Sequence, residues 1–122
     1  MFGGLLLAIA IAIILVLVAL RPHKRQQRGN PDARFFQEYQ YAQRAYLEGD
    51  YPEAARSIER LLVQRPDAPS VVLLRAHLHY CLQEYDLART QYGRVLELTA
   101  DLELLEYARK GIENVDRNSS SP

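Results

Sequence analysis

Residues 49–67 have the sequence GDYPEAARSIERLLVQRPD, and this stretch predicts how most of the chain folds. Gly49-Asp50-Tyr51 is typical of a turn, and Pro66 ends the segment that follows, because proline cannot donate a helical hydrogen bond. The apolar residues between them have the i, i+4, i+7, i+8 spacing of one helix face: Ala54, Ile58, Leu61 and Leu62. The stretch therefore predicts a turn followed by an amphipathic helix, which is half of a helical hairpin.

The same pattern returns further along the chain, over 83–101. The identical pairs are Ala42/Ala76, Tyr46/Tyr80, Tyr51/Tyr85, Ala54/Ala88, Arg60/Arg94, Leu62/Leu96 and Asp67/Asp101. All seven pairs are 34 positions apart, and they define two units of 34 residues each, 35–68 and 69–102, with no insertion between them. A fixed period of this length predicts stacked helical hairpins, because a single hairpin leaves its apolar face exposed.

The period and its small and aromatic residues resemble the tetratricopeptide repeat (TPR) family. That family has a helix-turn-helix unit with a small residue in each helix, an aromatic residue after the turn and a closing proline. The matching residues are Ala42, Gly49, Tyr51, Ala54 and Pro66 in the first unit, and Ala76, Tyr85 and Ala88 in the second. The departures are Glu38, Arg75, Gln83 and Ala100. The resemblance extends over 35–102 and implies a short α-solenoid.

The apolar spacing predicts five helices, at about 33–48, 52–64, 69–82, 86–98 and 102–115, with Asp32 as the first N-cap. The last helix is expected to cap the stack. Its apolar face consists of Leu102, Leu105, Ala108 and Ile112. The predicted fold class is all-α: an N-terminal transmembrane helix, then a TPR-like domain over 32–116 made of two hairpins and a capping helix. Residues 117–122 are expected to be a disordered tail.

Residues 1–20 are expected to form a transmembrane helix. Residues 2–20 are an unbroken apolar run, about 28 Å long as a helix, which is close to the hydrocarbon thickness of a bilayer. A cleaved signal peptide is the alternative, but the run lacks a preceding basic region, is long for such a peptide and lacks a suitable cleavage site. Gly4, Ala8 and Ala12 lie on one face of the helix, which suits packing against another transmembrane helix; the alternative is that glycine and alanine are simply common in such helices.

A basic linker is predicted at 21–31, where Arg21, Lys24, Arg25 and Arg28 occur with no acidic residue. Because positive residues stay on the cytoplasmic side, this cluster predicts a single-pass protein with its C-terminal domain facing the cytoplasm. The linker is also suited to contact anionic lipid head groups. Membrane lipid is therefore an expected partner of both the helix and the linker.

The remaining charges exclude some classes of function. The chain has 15 basic and 15 acidic residues, and four of the basic ones lie in the linker, which leaves 11 against 15 elsewhere. A mildly acidic domain argues against nucleic-acid binding, which needs a basic face. A single cysteine excludes an internal disulfide.

The TPR resemblance implies a concave groove lined by the first helix of each repeat. The residues at its groove positions are Phe36, Tyr39, Gln43, Tyr46 and Leu47 in the first unit, and Ser70, Leu73, His77, Tyr80 and Cys81 in the second, with Leu104 and Tyr107 from the capping helix. Such a surface suits a peptide with apolar side chains. The clamp that binds C-terminal carboxylates in some TPR domains is not expected, since its sites hold Tyr39, Gln43, Leu74, Leu104 and Ala108.

No pattern in the sequence predicts catalysis, a cofactor or a metal. His77 and Cys81 are one helical turn apart, but His79 lies on another face, and a tetrahedral site needs three or four convergent ligands. There is no phosphate-binding glycine loop, and no hydroxyl has an evident base beside it.

The sequence predicts a membrane-tethered protein-interaction adaptor, an assembly or stabilisation factor for a membrane protein complex. The alternative is a stoichiometric structural subunit of such a complex, for example a photosynthetic or respiratory one. A third hypothesis is an export-side adaptor with its repeats outside the cytoplasm. The architecture alone does not name the protein partner.

Overall fold

The computed structural model of the protein describes residues 3–20 and 30–120, in which all regular structure is helical. The six helices are α1 (Gly3–Leu20), α2 (Pro31–Leu47), α3 (Tyr51–Gln64), α4 (Pro69–Cys81), α5 (Tyr85–Leu98) and α6 (Leu102–Ser119). The predicted all-α class is confirmed, and each of the five helices after α1 overlaps a range that the apolar spacing predicted.

Helix α1 is long and apolar enough, by length and composition, to cross a membrane. Its 18 residues are about 27 Å long. All of them are exposed in the isolated chain, so the face formed by Gly4, Ala8 and Ala12 stays a prediction. The chain divides into two compact units, Met1–Pro31 and Asp32–Pro122. Nearly all of the predicted basic linker, residues 21–29, lies outside the described residues.

Helix α2 begins two residues before the predicted start. Pro31 suits the first turn of a helix because its φ is already helical and its missing N–H would have no partner there. Asp32 therefore lies in the first turn instead of acting as the N-cap. Its carboxylate pairs with Arg65 at the end of α3, and the Arg65 guanidinium lies 4.3 Å from the centre of the Phe35 ring.

The two turns that join α2 to α3 and α4 to α5 have the same hydrogen bonds at equivalent positions of the repeat. The amide of Gly49 donates to Tyr46 O (3.1 Å), and the amide of Gln83 donates to Tyr80 O (3.0 Å). The following amides, Asp50 and Glu84, donate to the carbonyls of Ala45 and His79, each over 2.9 Å. Both Gly49 and Gln83 have positive φ, 78° and 60°.

Helix α4 lies at the centre of the domain and packs against α3, α5 and α6. It contributes to both clusters of the hydrophobic core. One cluster consists of Val72, Leu73, Ala76, Ala88, Tyr92, Val95, Ala108 and Val115. The other consists of Ala42, Ile58, Leu61, Val71, Leu74 and Leu78. The four alanines of the repeat pattern, Ala42, Ala54, Ala76 and Ala88, are fully buried, as expected where helices approach closely.

Glu38 and Arg75, which depart from the apolar pattern of the repeat, both have polar partners. The Glu38 carboxylate accepts hydrogen bonds from the buried Ser57 hydroxyl (2.5 Å) and from Nε of Arg60 (2.9 Å). The Ser57 bond, and then the Arg60 guanidinium, keep the pKa of Glu38 below its usual value despite partial burial. Arg75 forms a 3.4 Å ion pair with Glu59 of α3. In both cases a pair of polar residues joins neighbouring helices.

Helix α6 extends to Ser119, so the prediction of a disordered tail from residue 117 is wrong for 117–119. Val115 is buried in the core, and the next residue, Asp116, pairs with Arg89 of α5. Asn118 donates from Nδ2 to the Asn114 carbonyl (2.9 Å) and to the Tyr80 hydroxyl. These contacts hold the last turn against the domain. Residues 121 and 122 of the predicted tail lie outside the described residues.

Candidate functional site

A cleft of about 390 Å³ lies between α2, α4 and α6. Its lining residues are Tyr39 and Gln43 from α2, Ser70, Leu73, Leu74 and His77 from α4, and Glu103, Leu104 and Tyr107 from α6. The cleft therefore brings together three helices that are separated in sequence by α3 and α5.

The α2 side of the cleft presents two polar groups one helical turn apart. Nε2 of Gln43 donates to the hydroxyl of Tyr39 over 3.1 Å. Burial raises the pKa of Tyr39, so its phenol is neutral at physiological pH. The two side chains hold each other in place, and the Tyr39 hydroxyl is also hydrogen-bonded to Ser70 of α4.

The α4 side combines apolar contact with one histidine. Leu73 and Leu74 are 7% and 5% exposed, so they belong to the core as well as to the cleft. Nδ1 of His77 lies 2.6 Å from the hydroxyl of Tyr92, a buried residue of α5, and the two rings meet edge to face at 5.3 Å. Burial lowers the pKa of His77, and the ring is therefore neutral at pH 7.

Tyr92 contacts the cleft residue His77 from inside the core but was not among the predicted site residues. It occupies the position of Ile58 in the first unit, and burial raises its pKa. Its ring passes close to Gly111 of α6, where a Cβ atom would lie 2.7 Å from Cδ1 and closer still to Cε1 and Cζ. The absence of a side chain at Gly111 makes room for Tyr92. A tyrosine at an apolar core position, 15 residues after a histidine at a groove position, was the available sequence signal.

The α6 side carries the only charged residue that lines the cleft, Glu103. Its carboxylate has no ion-pair or hydrogen-bond partner within residues 30–120. The amides of Glu103 and Leu104 at the start of the helix donate to Oδ1 of Asp101, over 3.0 and 3.2 Å. Asp101 therefore satisfies this helix end and adds a second negative charge at the start of α6. No motif in the sequence singled out Glu103 as a site residue.

A second depression of about 230 Å³, here called the notch, adjoins the cleft and shares Tyr39 and Ser70 with it. The other residues of the notch are Phe35, Phe36, Ala68, Pro69 and Val71, all apolar. The Phe36 side chain is 58% exposed. The notch thus offers a mainly apolar surface next to the more polar cleft.

The structure separates the predicted groove residues into distinct places. The cleft contains Tyr39, Gln43, Ser70, Leu73, His77, Leu104 and Tyr107, and the notch contains Phe36. Four predicted residues line neither: Tyr46, Leu47, Tyr80 and Cys81. They lie at the C-terminal ends of α2 and α4.

These four residues have other surroundings. The Tyr46 hydroxyl contacts Sγ of Cys81 over 3.3 Å, and its ring stacks on His77 with centroids 6.4 Å apart. Tyr80 packs beside Tyr85 at 5.7 Å and accepts from Asn118. Leu47 is 80% exposed. Tyr46 and Tyr80 thus take part in packing, while Leu47 contacts solvent.

The lining of the cleft combines several kinds of interacting group. It offers apolar contact, hydroxyls, an amide, a neutral imidazole and one carboxylate. In the described part of the chain, no three His, Cys, Asp or Glu side chains converge as metal ligands. Nδ1 of His77 contacts Tyr92, and Sγ of Cys81 contacts Tyr46. Nδ1 of His79 lies 3.4 Å from the Glu84 carboxylate.

Comparisons with protein-family models, with curated proteins and with solved structures each found no match. Membership in the tetratricopeptide repeat family therefore stays a prediction from the repeat pattern.

Proposed function

We propose that this protein is a membrane-tethered adaptor of the TPR type, which holds a segment of a partner protein in the cleft and serves the assembly or stability of a membrane protein complex. The observation that carries the proposal is the cleft itself. Seven residues at the predicted groove positions, from three helices, line one concavity. A concave surface that combines an apolar floor and a few polar groups is typical of peptide recognition.

The repeated turns support the TPR assignment. Hydrogen bonds from residues 49 and 50 recur at residues 83 and 84, and the paired rings Tyr46/Tyr51 recur as Tyr80/Tyr85, with centroids 6.1 and 5.7 Å apart. Two hairpins of the same construction, followed by one more helix, are what a short repeat domain with a cap requires.

The cleft is tested with a matched pair of tyrosine variants in the full-length protein. Tyr107→Ala removes an aromatic side chain that lines the cleft and is 48% exposed, whereas Tyr41→Ala removes one that is 44% exposed and does not line it. Proteins that copurify with each form from detergent-solubilised membranes are identified and quantified by mass spectrometry. The expected loss of affinity is about thirtyfold for Tyr107→Ala, since aromatic residues contribute strongly to interfaces, at about 2 kcal/mol.

The proposal predicts a partner that is lost with Tyr107→Ala and retained with Tyr41→Ala. Circular dichroism before and during heating must first show that both variants fold like the parent. Equal recovery of every partner by the two folded variants would place the binding surface outside the cleft. The ratio of protein to partner separates the two roles, because an assembly factor is substoichiometric and is found with intermediates, whereas a structural subunit comigrates with the finished complex at a fixed ratio.

The orientation follows from the basic residues after the apolar run and is tested separately. A cysteine is introduced as Ser121→Cys in a Cys81→Ala background and is treated with a membrane-impermeant thiol reagent in intact cells. Protection is expected if the domain faces the cytoplasm. Labelling without permeabilisation would instead favour the export-side adaptor.

A further inference from the structure

The charges around the cleft indicate which partner segment it accepts. We propose that the cleft binds a segment carrying a lysine or arginine, whose cationic group pairs with Glu103, next to an apolar side chain that occupies the notch. This inference rests on the proposed function, since it names the chemistry of the segment that the adaptor holds.

The first argument is the charge of the cleft. Glu103 is its one charged lining residue, and no cation among residues 30–120 pairs with it. By contrast, Glu106 on the same helix pairs with Lys110 at 3.1 Å. His77 adds no positive charge, because burial lowers its pKa and it is neutral at pH 7. A cationic side chain is thus the charged group that complements the cleft.

The second argument concerns carboxylates, the ligands that the start of a helix would otherwise attract. At the start of α6 the amides of Glu103 and Leu104 are already occupied by the Asp101 carboxylate. An acidic partner group there would meet two negative charges and no free donor from these amides. The same arrangement that satisfies the helix end therefore disfavours an acidic segment.

The third argument is the notch, which shares Tyr39 and Ser70 with the cleft. Its remaining lining residues are apolar, and at about 230 Å³ it has room for one apolar side chain of a segment that continues into the cleft. An apolar residue and a basic residue in one short segment would fill both depressions at once.

The test uses the full-length protein in lipid nanodiscs and a random peptide library displayed on phage. Selections are carried out in parallel on the parent, on Glu103→Gln and on Glu113→Gln, with empty nanodiscs as the blank. Glu113 is an exposed acid of α6 that does not line the cleft, so its variant matches the change in net charge. The basic residues at 21–28 are common to all three proteins, and the differences between the selections therefore report on Glu103.

We expect the parent and Glu113→Gln to select peptides with a lysine or arginine near an apolar residue, and Glu103→Gln to lose the preference for the basic residue. For the best peptide, replacing its basic residue by glutamine should weaken binding about three- to tenfold. Glu103→Gln should weaken it by a similar factor, and the two changes together should cost no more than either alone, because they remove the same pair.

Three outcomes would overturn the inference. If peptides are selected without a basic residue, or if the preference survives in Glu103→Gln, the cleft binds peptides but not by this pair, and the proposed function stands. If acidic peptides are selected, the charge argument is wrong. If none of the proteins selects any peptide above the blank, the inference and the peptide-binding part of the proposed function both fail.

Discussion

The first hairpin, α2 and α3, and the second hairpin, α4 and α5, have the same turn but not the same turn residue. Gly49 and Gln83 make equivalent backbone hydrogen bonds and both have positive φ. Glycine adopts this conformation without steric cost, while glutamine incurs about 1–2 kcal/mol of strain. The first turn is therefore favoured by its local sequence. The second must be held in the same shape by the packing of the helices on either side.

The helix starts after the two turns differ in the same way. Oδ1 of Asp50 accepts from the amide of Glu53 at the start of α3 over 3.4 Å. Glu84 makes no such bond at the start of α5, and its carboxylate lies near His79 instead. The second hairpin compensates through its core, in which Ala88, Tyr92 and Val95 of α5 are buried between α4 and α6. Tertiary packing thus replaces local signals where the sequence departs from the repeat pattern.

The largest expected effect comes from placing a bulky side chain at the buried alanine that occupies the same position in each hairpin. Ala54 and Ala88 are both 0% exposed, so Ala54→Phe and Ala88→Phe should each destabilise the fold by at least about 1–3 kcal/mol. We expect Ala88→Phe to be the more severe, since α5 packs against two helices, α4 and α6. Thermal and urea denaturation followed by circular dichroism measure both. Val63→Phe is the control, as Val63 is 81% exposed. Parent-like melting of both core variants would refute the close helix contacts at these alanines and the repeat register that predicts them.

A pair of glycine variants tests the buried tyrosine that distinguishes the second hairpin. In Gly111→Ala the new methyl group would overlap the Tyr92 ring, so the ring must move, and the expected cost is about 1–3 kcal/mol. Gly93→Ala, on the same helix as Tyr92, meets no atom within 4 Å and should stabilise α5 by about 0.5–1 kcal/mol. Chemical denaturation of both variants gives the two free energies. Opposite signs are the expected pattern, and a stabilising Gly111→Ala would contradict the close approach.

The third effect is the pH dependence of stability. The second hairpin has an ionisable residue, His77, at the position where the first hairpin has Gln43. Because the pKa of His77 in the folded protein is below its ordinary value of 6.5, the unfolded chain binds the proton more tightly. Stability attributable to His77 should therefore be complete well above pH 6.5 and decrease as the pH falls through that value. The change in the free energy of unfolding is about 1.4 kcal/mol for each pKa unit by which the folded and unfolded states differ.

The variant His77→Gln copies the residue of the first hairpin and should make the decrease in stability between pH 7 and pH 5 smaller. Acidic residues such as Glu38 are common to both proteins and do not affect the difference between them. Denaturation midpoints across this range provide the measurement. If the parent and the variant lose stability in parallel, the histidine does not titrate with a depressed pKa.

The last comparison tests the turns directly. Gln83→Gly should stabilise the protein by about 0.5–1 kcal/mol, since relief of the left-handed strain exceeds the added entropy of the unfolded chain. Gly49→Gln should have the opposite effect, by about 1 kcal/mol, because it introduces the residue of the second turn into the first. The reciprocal pair is compared by urea denaturation. A destabilising Gln83→Gly would mean that the glutamine side chain contributes more than its backbone conformation costs.

Much of the domain follows from the sequence because its signals are local. The apolar spacing and the glycine and proline positions predicted α2 to α5 with bounds within two residues of the structure. The start of α6 was predicted correctly, but its end was not, since Val115, Asp116 and Asn118 extend the helix through contacts with α4 and α5. The hydrogen bonds of Asp116 and Asn118 join residues 27 and 38 positions apart and leave no trace in a local pattern.

The candidate site was likewise predicted from the sequence only in part. The repeat register placed Tyr39, Gln43 and His77 at groove positions, and the structure brings them to one cleft. The repeat register could not indicate that Tyr80 contacts Asn118 and Tyr85, or that Tyr46 stacks on His77. Several partners at suitable spacing are available to each ring. Tyr92 was missed because its position in the repeat predicts only a buried core side chain. Whether its hydroxyl reaches His77 depends on the angle between α4 and α5.

By itself, the sequence determined the elements of this protein: one apolar helix long enough to span a membrane, five amphipathic helices and the repeat that relates 35–68 to 69–102. Periodicity and turn chemistry suffice for the helices, since each signal depends on residues within a few positions of one another. The tertiary structure alone decided that α4 is central, that Gln83 adopts a glycine-like conformation and that Glu103 faces the cleft without a partner among residues 30–120. These features arise where distant helices meet, and the free energy of that packing exceeds the local preferences of single residues.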